Sequence, residues 1–369
     1  MASGTLRLFA VASGTVLLAF FGCDGERGRY GTSGVASGQG GGFMPPPGPS
    51  GGPGPSSGSG GAASDDDVIP DPDAPCDANL DIDSNDPLDA AAAIGLCKKA
   101  ENGLDWGLLD ARWVLPDGST FTDQALYDLG HGILEDFGAL VPREGERFLA
   151  LSSGTARAPD DPDWSSPIGF DKDYGTPSPA GFPKESPACP GVETGEARDG
   201  VALELRMKAP PDALGLGYDF DFYTFEWPLY VCSTFNDFFV ALLDPPPAGQ
   251  DDANISFDSV GNPVSVNNAL LLVCGCQNGP PCDAPPTDPL ISYECPGGTD
   301  SLSDTGFEGA AATGWLATRT PVSGDEVVSL RLVVYDSGDG LLDSTTIIDN
   351  LRWLGDDPGG SGTDPLQPK

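Results

Sequence analysis

The chain of 369 residues carries 56 acidic against 18 basic side chains, a net charge of −38. Without a basic cluster it has no means of neutralising phosphates, which excludes nucleic acid as a partner. Its one histidine, His131, excludes the two- and three-histidine zinc sites and leaves any Ser–His or Cys–His nucleophile a single base to use.

The first predicted element is a signal peptide. Leu8–Phe21 (LFAVASGTVLLAFF) is uncharged, follows Arg7, and falls short of the roughly 20 residues that span a bilayer. Gly22-Cys23-Asp24 then sets a small residue before a cysteine, the arrangement that a lipoprotein signal peptidase reads. Residues 1–22 are expected to be removed and Cys23 to carry lipid on its thiol and amino group. Taking Cys23 from the nine cysteines leaves eight: Cys76, Cys97, Cys189, Cys232, Cys274, Cys276, Cys282 and Cys295. An even set in an oxidising compartment can pair completely. The expected location is therefore outside the cytoplasm, anchored by lipid at the outer membrane or cell surface.

Residues 23–75 follow as a lipid-anchored tether rich in Gly, Pro and Ser (FMPPPGPSGGPGPSSGSGG at its centre). Such a stretch has too little apolar surface to offset the entropy of ordering. Gly54-Pro55-Ser56-Ser57-Gly58 matches G-x-S-x-G, but a nucleophile elbow needs a strand before the serine and a helix after it. The match carries no chemistry.

Residues 76–355 read as the folded domain. Asp86-Pro87 supplies a cap and an N1 proline for a helix through LDAAAAIGLCKKA, with Lys98 and Lys99 in its last turn and Asn102-Gly103 ending it. A shorter helix is predicted around Gln124–Leu129, and His131 reads as a turn or surface residue. Beyond Arg143 the pattern is strands and loops. Val201, Leu203, Leu205 and Met207 alternate with polar neighbours, as do Val328, Leu330, Leu332 and Val334, the period of a half-buried strand. Phe238–Leu243 is continuously apolar and suits a central strand. Shorter strands are expected at Arg147–Ser152, Tyr218–Trp227, Ile255–Phe257, Pro263–Val266, Ala269–Cys274, Trp315–Thr318 and Thr346–Trp353. The segment 158–190 is too poor in apolar periodicity to be core, and residues 356–369 form a polar tail. These elements predict an all-β, antiparallel two-sheet sandwich of jelly-roll type with one or two short N-terminal helices.

Two groups of residues carry candidate chemistry. Asp336, Asp339 and Asp343 surround a glycine-rich turn between two predicted strands, where several oxygens could face one hard cation; calcium is the cofactor such a set would take. The alternative is a solvated turn whose aspartates satisfy their own backbone. Asp349 is placed by strand alternation on the face of Ile347, Leu351 and Trp353, as a further ligand or a structural acceptor. Glu226, Asn236 and Asp237 lie among Trp227, Tyr230 and Phe235, a composition that suits either a sugar-binding face or a polar network beside the core. Asp81-Ile82-Asp83-Ser84-Asn85 opens like a calcium loop, but Asp86 stands where glycine is needed and Ala92 where the bidentate glutamate belongs, so helix capping accounts for it. Cys274, Cys276, Cys282 and Cys295 are expected to staple a loop as disulfides, and Cys76–Cys97 to form a local bridge. No catalytic residue stands out.

The blocks CDANLDIDSNDPLDAAAAIGLC, FGALVPREGERFLALSSGTA, FDFYTFEWPLYVCSTFNDFFVALL, NISFDSVGNPVSVN, TGWLATRTPV and VVYDSGDGLLDSTTIIDNLRW, in this order, resemble the choice-of-anchor L domain of bacterial surface proteins, in a lipoprotein version of the myxobacterial type. The resemblance implies a surface-displayed β domain and supplies no catalytic residues. Three functional readings follow: binding or adhesion at the cell surface, with polysaccharide or envelope protein as partner; a secreted carbohydrate-active hydrolase using paired carboxylates; and a purely structural coat component.

Overall fold

The computed structural model of the chain describes residues 68–101, 104–250, 252–268, 270–275, 282–283, 292–293 and 296–366. Cys23, the signal peptide and the tether up to residue 67 lie outside them. In chain order the strands are β1 (Val68–Ile69), β2 (Gly107–Val114), β3 (His131–Leu134), β4 (Phe148–Ser152), β5 (Ala197–Lys208), β6 (Gly215–Thr224), β7 (Phe238–Asp244) and β8 (Val264–Ser265). They continue with β9 (Val273–Cys274), β10 (Cys282–Asp283), β11 (Ser292–Tyr293), β12 (Ala311–Ala312), β13 (Leu316–Pro321), β14 (Val327–Ser337), β15 (Ser344–Leu354) and β16 (Gly362–Pro365). Helix α1 (Pro87–Ala93) precedes β2, and α2 (Gln124–Asp128) precedes β3. Among the described residues no helix is long and apolar enough to cross a membrane.

The strands form an antiparallel two-sheet sandwich, as the alternation predicts. One sheet runs β16-β13-β6-β15-β4-β3, with β1 on β15 and the short β12 and β9 beside β6; the other runs β2-β5-β14-β7-β8. Between them, Tyr218, Phe220 and Phe222 of β6 pack with Leu203 and Leu205 of β5, Leu330 and Leu332 of β14, and Phe239 of β7. Burying such a side chain is worth about 1.5–3 kcal/mol. The outer faces are covered as well. Phe137, Phe148, Tyr223, Phe307 and Ile347 cluster outside the first sheet, and Phe238, Val240 and Tyr335 outside the second.

Several elements depart from the sequence reading. Asp86 does cap α1, its Oδ1 accepting from Leu88 N at 2.9 Å. The helix nevertheless stops at Ala93, because Gly95 takes φ +89° and turns the chain before Lys98. His131 is buried within β3, its ring stacked on Trp113 at 3.9 Å. The outlying ends join the sheet: Val68 pairs with Leu354, and β16, within the expected polar tail, pairs with β13. Segment 158–190 has no regular core strand, yet its Phe182 packs against Phe238 (5.8 Å between rings) and its Lys172 is buried. The expected Cys76–Cys97 bridge is present, and Cys189–Cys232 is a second, with Cα separations of 5.7 and 5.2 Å. Cys274 is also disulfide-bonded. Cys276, Cys295 and the side chain of Cys282 lie outside the described residues.

Candidate functional site

Three connections cross between the sheets at one end of the sandwich: 153–196 from β4 to β5, 225–237 from β6 to β7, and 338–343 from β14 to β15. Strand register brings them together. Ser337 opposes Ala197, Tyr335 opposes Phe238, Ser344 opposes Thr224 and Thr345 opposes Ser152. The crossovers also bond to one another. Gly195 N donates to Thr234 O (3.0 Å), Asn236 N to Ser337 O (3.2 Å) and Gly338 N to Glu196 O (3.1 Å). Gly195 must be glycine for this approach, since a Cβ there would fall 2.4 Å from Gly338 Cα.

Two of the three crossovers, 225–237 and the β14–β15 connection, bring acids to the interior. Glu226, Asp237, Asp336 and Asp343 all stand within two residues of a strand end, where the side-chain pattern of the core gives way to the turn. Glu226, Asp237 and Asp336 each place a carboxylate oxygen within 4.8 Å of the others. All three are buried, at 1 %, 0 % and 0 % exposure, and Asp343 is at 2 %. Glu226 Oε2 and both oxygens of Asp237, Asp336 and Asp343 have no hydrogen-bond partner, nor does either polar atom of the Asn236 amide. Asp336, Ser344 and the backbone of Ser337 stand beside Asp237, so a proton shared between Asp237 and Asp336 is the one pairing the acids offer each other, and Ser344 Oγ is itself unpartnered.

The electrostatics follow from that geometry. Burial, with Asp237 and Asp339 nearby, pushes Glu226 up to about 10. Burial pushes Asp237 up to about 7 and holds Asp336 and Asp343 well above the usual carboxylate range. The one buried ammonium in the neighbourhood is Lys172, lowered to about 8 by burial against the opposing pull of Asp199, Asp343 and Asp336. Its Nζ donates to Ser152 O at 3.3 Å, and Asp199 is occupied by the backbone N–H groups of Lys172 and Tyr174.

The two groups of residues singled out in the sequence therefore meet. Asp336 joins Glu226 and Asp237 at one locus, Asp343 is their electrostatic neighbour, and Asn236 precedes Asp237 in the chain. The sugar-binding face expected of Glu226, Asn236 and Asp237 is corrected by their burial, since no ring could stack there. Asp339 stays at the half-buried rim, its Oδ1 accepting from Leu341 N at 3.3 Å. Asp349 lies elsewhere. A bulge in β15, with Asn350 at φ +54°, leaves Ile347 in the outer cluster and turns Leu351 and Trp353 into the core. Asp349 accepts from the backbone N–H groups of Arg143 (2.6 Å), Glu144 (3.2 Å) and Asn350 (2.5 Å), so it is a structural acceptor. Lys172 and Asp199, missed in the sequence, lie in or beside the crossover whose loop composition gives no periodic signal.

A separate feature opens to solvent. On the outer face of the first sheet a groove of about 660 Å³ is lined by Leu140, Val141, Arg143, Asp221, Trp315 and Leu366, among others. The Arg143 guanidinium lies 5.5 Å over the Trp315 ring. Asp221, at the floor, accepts from Tyr223 Oη (3.1 Å) and Thr313 Oγ1 (3.2 Å), and burial pushes it up to about 7. No family model, no curated protein and no solved structure matches the chain.

Proposed function

We propose that the chain is an exported, lipid-anchored surface protein of the choice-of-anchor L kind, and that its β-sandwich binds saccharide of a polysaccharide or glycosylated envelope component. The groove at Trp315 carries this reading. It combines an indole, apolar walls and the Arg143 guanidinium 5.5 Å over that indole, the mixture of apolar surface and few fixed polar groups that suits a small ligand. Binding is favoured over hydrolysis. A glycosidase needs two carboxyl groups flanking one bond, and Asp221 is the only carboxylate among the described residues lining the groove. The clustered acids at the crossovers are closed to any substrate. Export is supported by the Cys76–Cys97 and Cys189–Cys232 bridges, and lipidation by Gly22-Cys23.

Two measurements test the reading. The Cys23→Ala protein, expected to lose membrane partitioning, is applied to immobilised polysaccharides and envelope fractions beside the same protein carrying Trp315→Ala. Retention of the first and release of the second is the expected result. Equal retention of both removes the groove from the account, and unchanged membrane partitioning on Cys23→Ala removes the lipid anchor.

A further inference from the structure

We infer that Glu226, Asp237 and Asp336, with Asp343 completing the set, hold one Ca²⁺ ion enclosed at the end of the sandwich where the chain crosses between its sheets. Their donor atoms are all oxygens, with no histidine or cysteine among them, a set that selects a hard cation over zinc or copper. Carboxylate oxygens within 4.8 Å of one another suit an ion whose oxygen ligands stand about 2.3–2.6 Å away on several sides.

The acids alone would not establish a site; their unmet hydrogen bonding does. Seven carboxylate oxygens on four side chains, each 0–2 % exposed, have no donor. Asn236, 1 % exposed, adds an amide oxygen without a partner. A buried group left unpaired costs about 1–3 kcal/mol, more when charged, so a native chain keeps several together only where something fills the gap. No protein cation does. Lys172 makes no ion pair with any of these acids within 4.0 Å among the described residues, and its Nζ is turned to Ser152 O.

Enclosure sets the role of the ion. With its ligands closed to solvent it keeps no position for substrate or surface ligand, so it is a structural clamp. It joins crossover 225–237, through Glu226 and Asp237, to the β14–β15 connection, through Asp336 and Asp343. The Cys189–Cys232 bridge joins that same crossover to 153–196. One disulfide and one ion thus stitch all three connections.

The test uses the full chain and Ca²⁺ itself. After exhaustive chelation, 1 mM CaCl2 is added and the protein is followed by native mass spectrometry and thermal unfolding, with MgCl2 and ZnCl2 as parallel arms. The expected result is one Ca²⁺ per chain and a rise in Tm of roughly 5 °C, that of a ligand near 100-fold its Kd. Asp336→Asn and Asp237→Asn, which keep shape and remove charge, should lose the bound ion and the Ca²⁺-dependent rise while unfolding cooperatively in chelator. Absence of bound Ca²⁺ with an unchanged Tm overturns the inference, whether or not the variants fold. Binding of Mg²⁺ or Zn²⁺ in place of Ca²⁺ overturns the identity of the ion. Neither result bears on the saccharide groove, whose Trp315→Ala comparison is independent.

Discussion

Buried acids occur at the middle of the β6–β15 pair and just past its Thr224–Ser344 end, and the two sets are treated differently. At mid-strand Asp219 and Asp349 face each other in register. Asp219 accepts from Arg143 Nε (2.7 Å), Arg352 Nη1 (2.9 Å) and Asn350 Nδ2 (2.8 Å), and Asp349 from three backbone N–H groups. Past the Thr224–Ser344 end, Glu226 Oε2 and both oxygens of Asp237, Asp336 and Asp343 find no donor. A chain with 18 basic residues spends two arginines on the first set and none on the second. The same economy holds in the second sheet, where Glu204 is paired with Arg112 and Arg331. Buried acids in this fold come with donors, which is why the cluster without them stands out as a place for an ion from outside.

The largest effect expected on this contrast is Arg143→Ala. It removes one partner of a buried pair and should cost about 3 kcal/mol in equilibrium unfolding, equally with Ca²⁺ and with chelator. A loss below about 1 kcal/mol, the range of an exposed pair, would make the two sets alike. Asp349→Asn, which weakens acceptance from three N–H groups, should cost about 1–2 kcal/mol in the same assay; a neutral result would show those bonds to be dispensable.

A pH titration sharpens the contrast. In chelator the folded chain holds protons on Glu226, Asp237, Asp336 and Asp343 that the unfolded chain releases near pH 4. The native state therefore binds more protons, and stability falls as pH rises from about 5 to 8. Asp221 and Asp349, also raised to about 7 by burial, add the same sign, and the buried neutral His131 opposes it below its ordinary range. Lys172, lowered to about 8, adds stability only as pH rises beyond that value, above the window of the acids. The cluster's share is the slope lost in the Asp237→Asn/Asp336→Asn double variant. Ca²⁺, which needs the ionised acids, should reverse the trend; parallel curves with and without Ca²⁺ would argue against the clamp. The last comparison is the double variant in chelator at about pH 7.5, expected to be at least as stable as the parent because it no longer carries the two raised acids. A clear loss there would mean that these carboxylates have protein partners after all.

Much of the scaffold was readable from the chain because it rests on local periodicity. The alternation of Val201–Met207 and Val328–Val334 gives β5 and β14 directly, and the apolar run at Phe238 gives a strand flanked on both sides. The site was half readable. Acids beside strand ends marked Glu226, Asp237, Asp336 and Asp343 individually, but their meeting depends on two sheet crossings more than 100 residues apart. No spacing rule reports that. Asp349 was misplaced by the bulge at Asn350, since one extra residue inverts the alternation beyond it. His131 was misread because its burial comes from Trp113 on β2, a strand that the sequence reading did not mark.

The pairing of β1 with β15 has a mechanical consequence. Val68 and Ile69 lie against Leu354 and Trp353, roughly 30 Å along β15 from Ser344 at the rate of strand rise. A pull arriving along the chain from before Val68 therefore loads a two-residue zipper first, at the end remote from the crossovers. That zipper can peel open residue by residue while the disulfide-joined end stays shut, so such a pull would be relieved first by a small give at its point of entry.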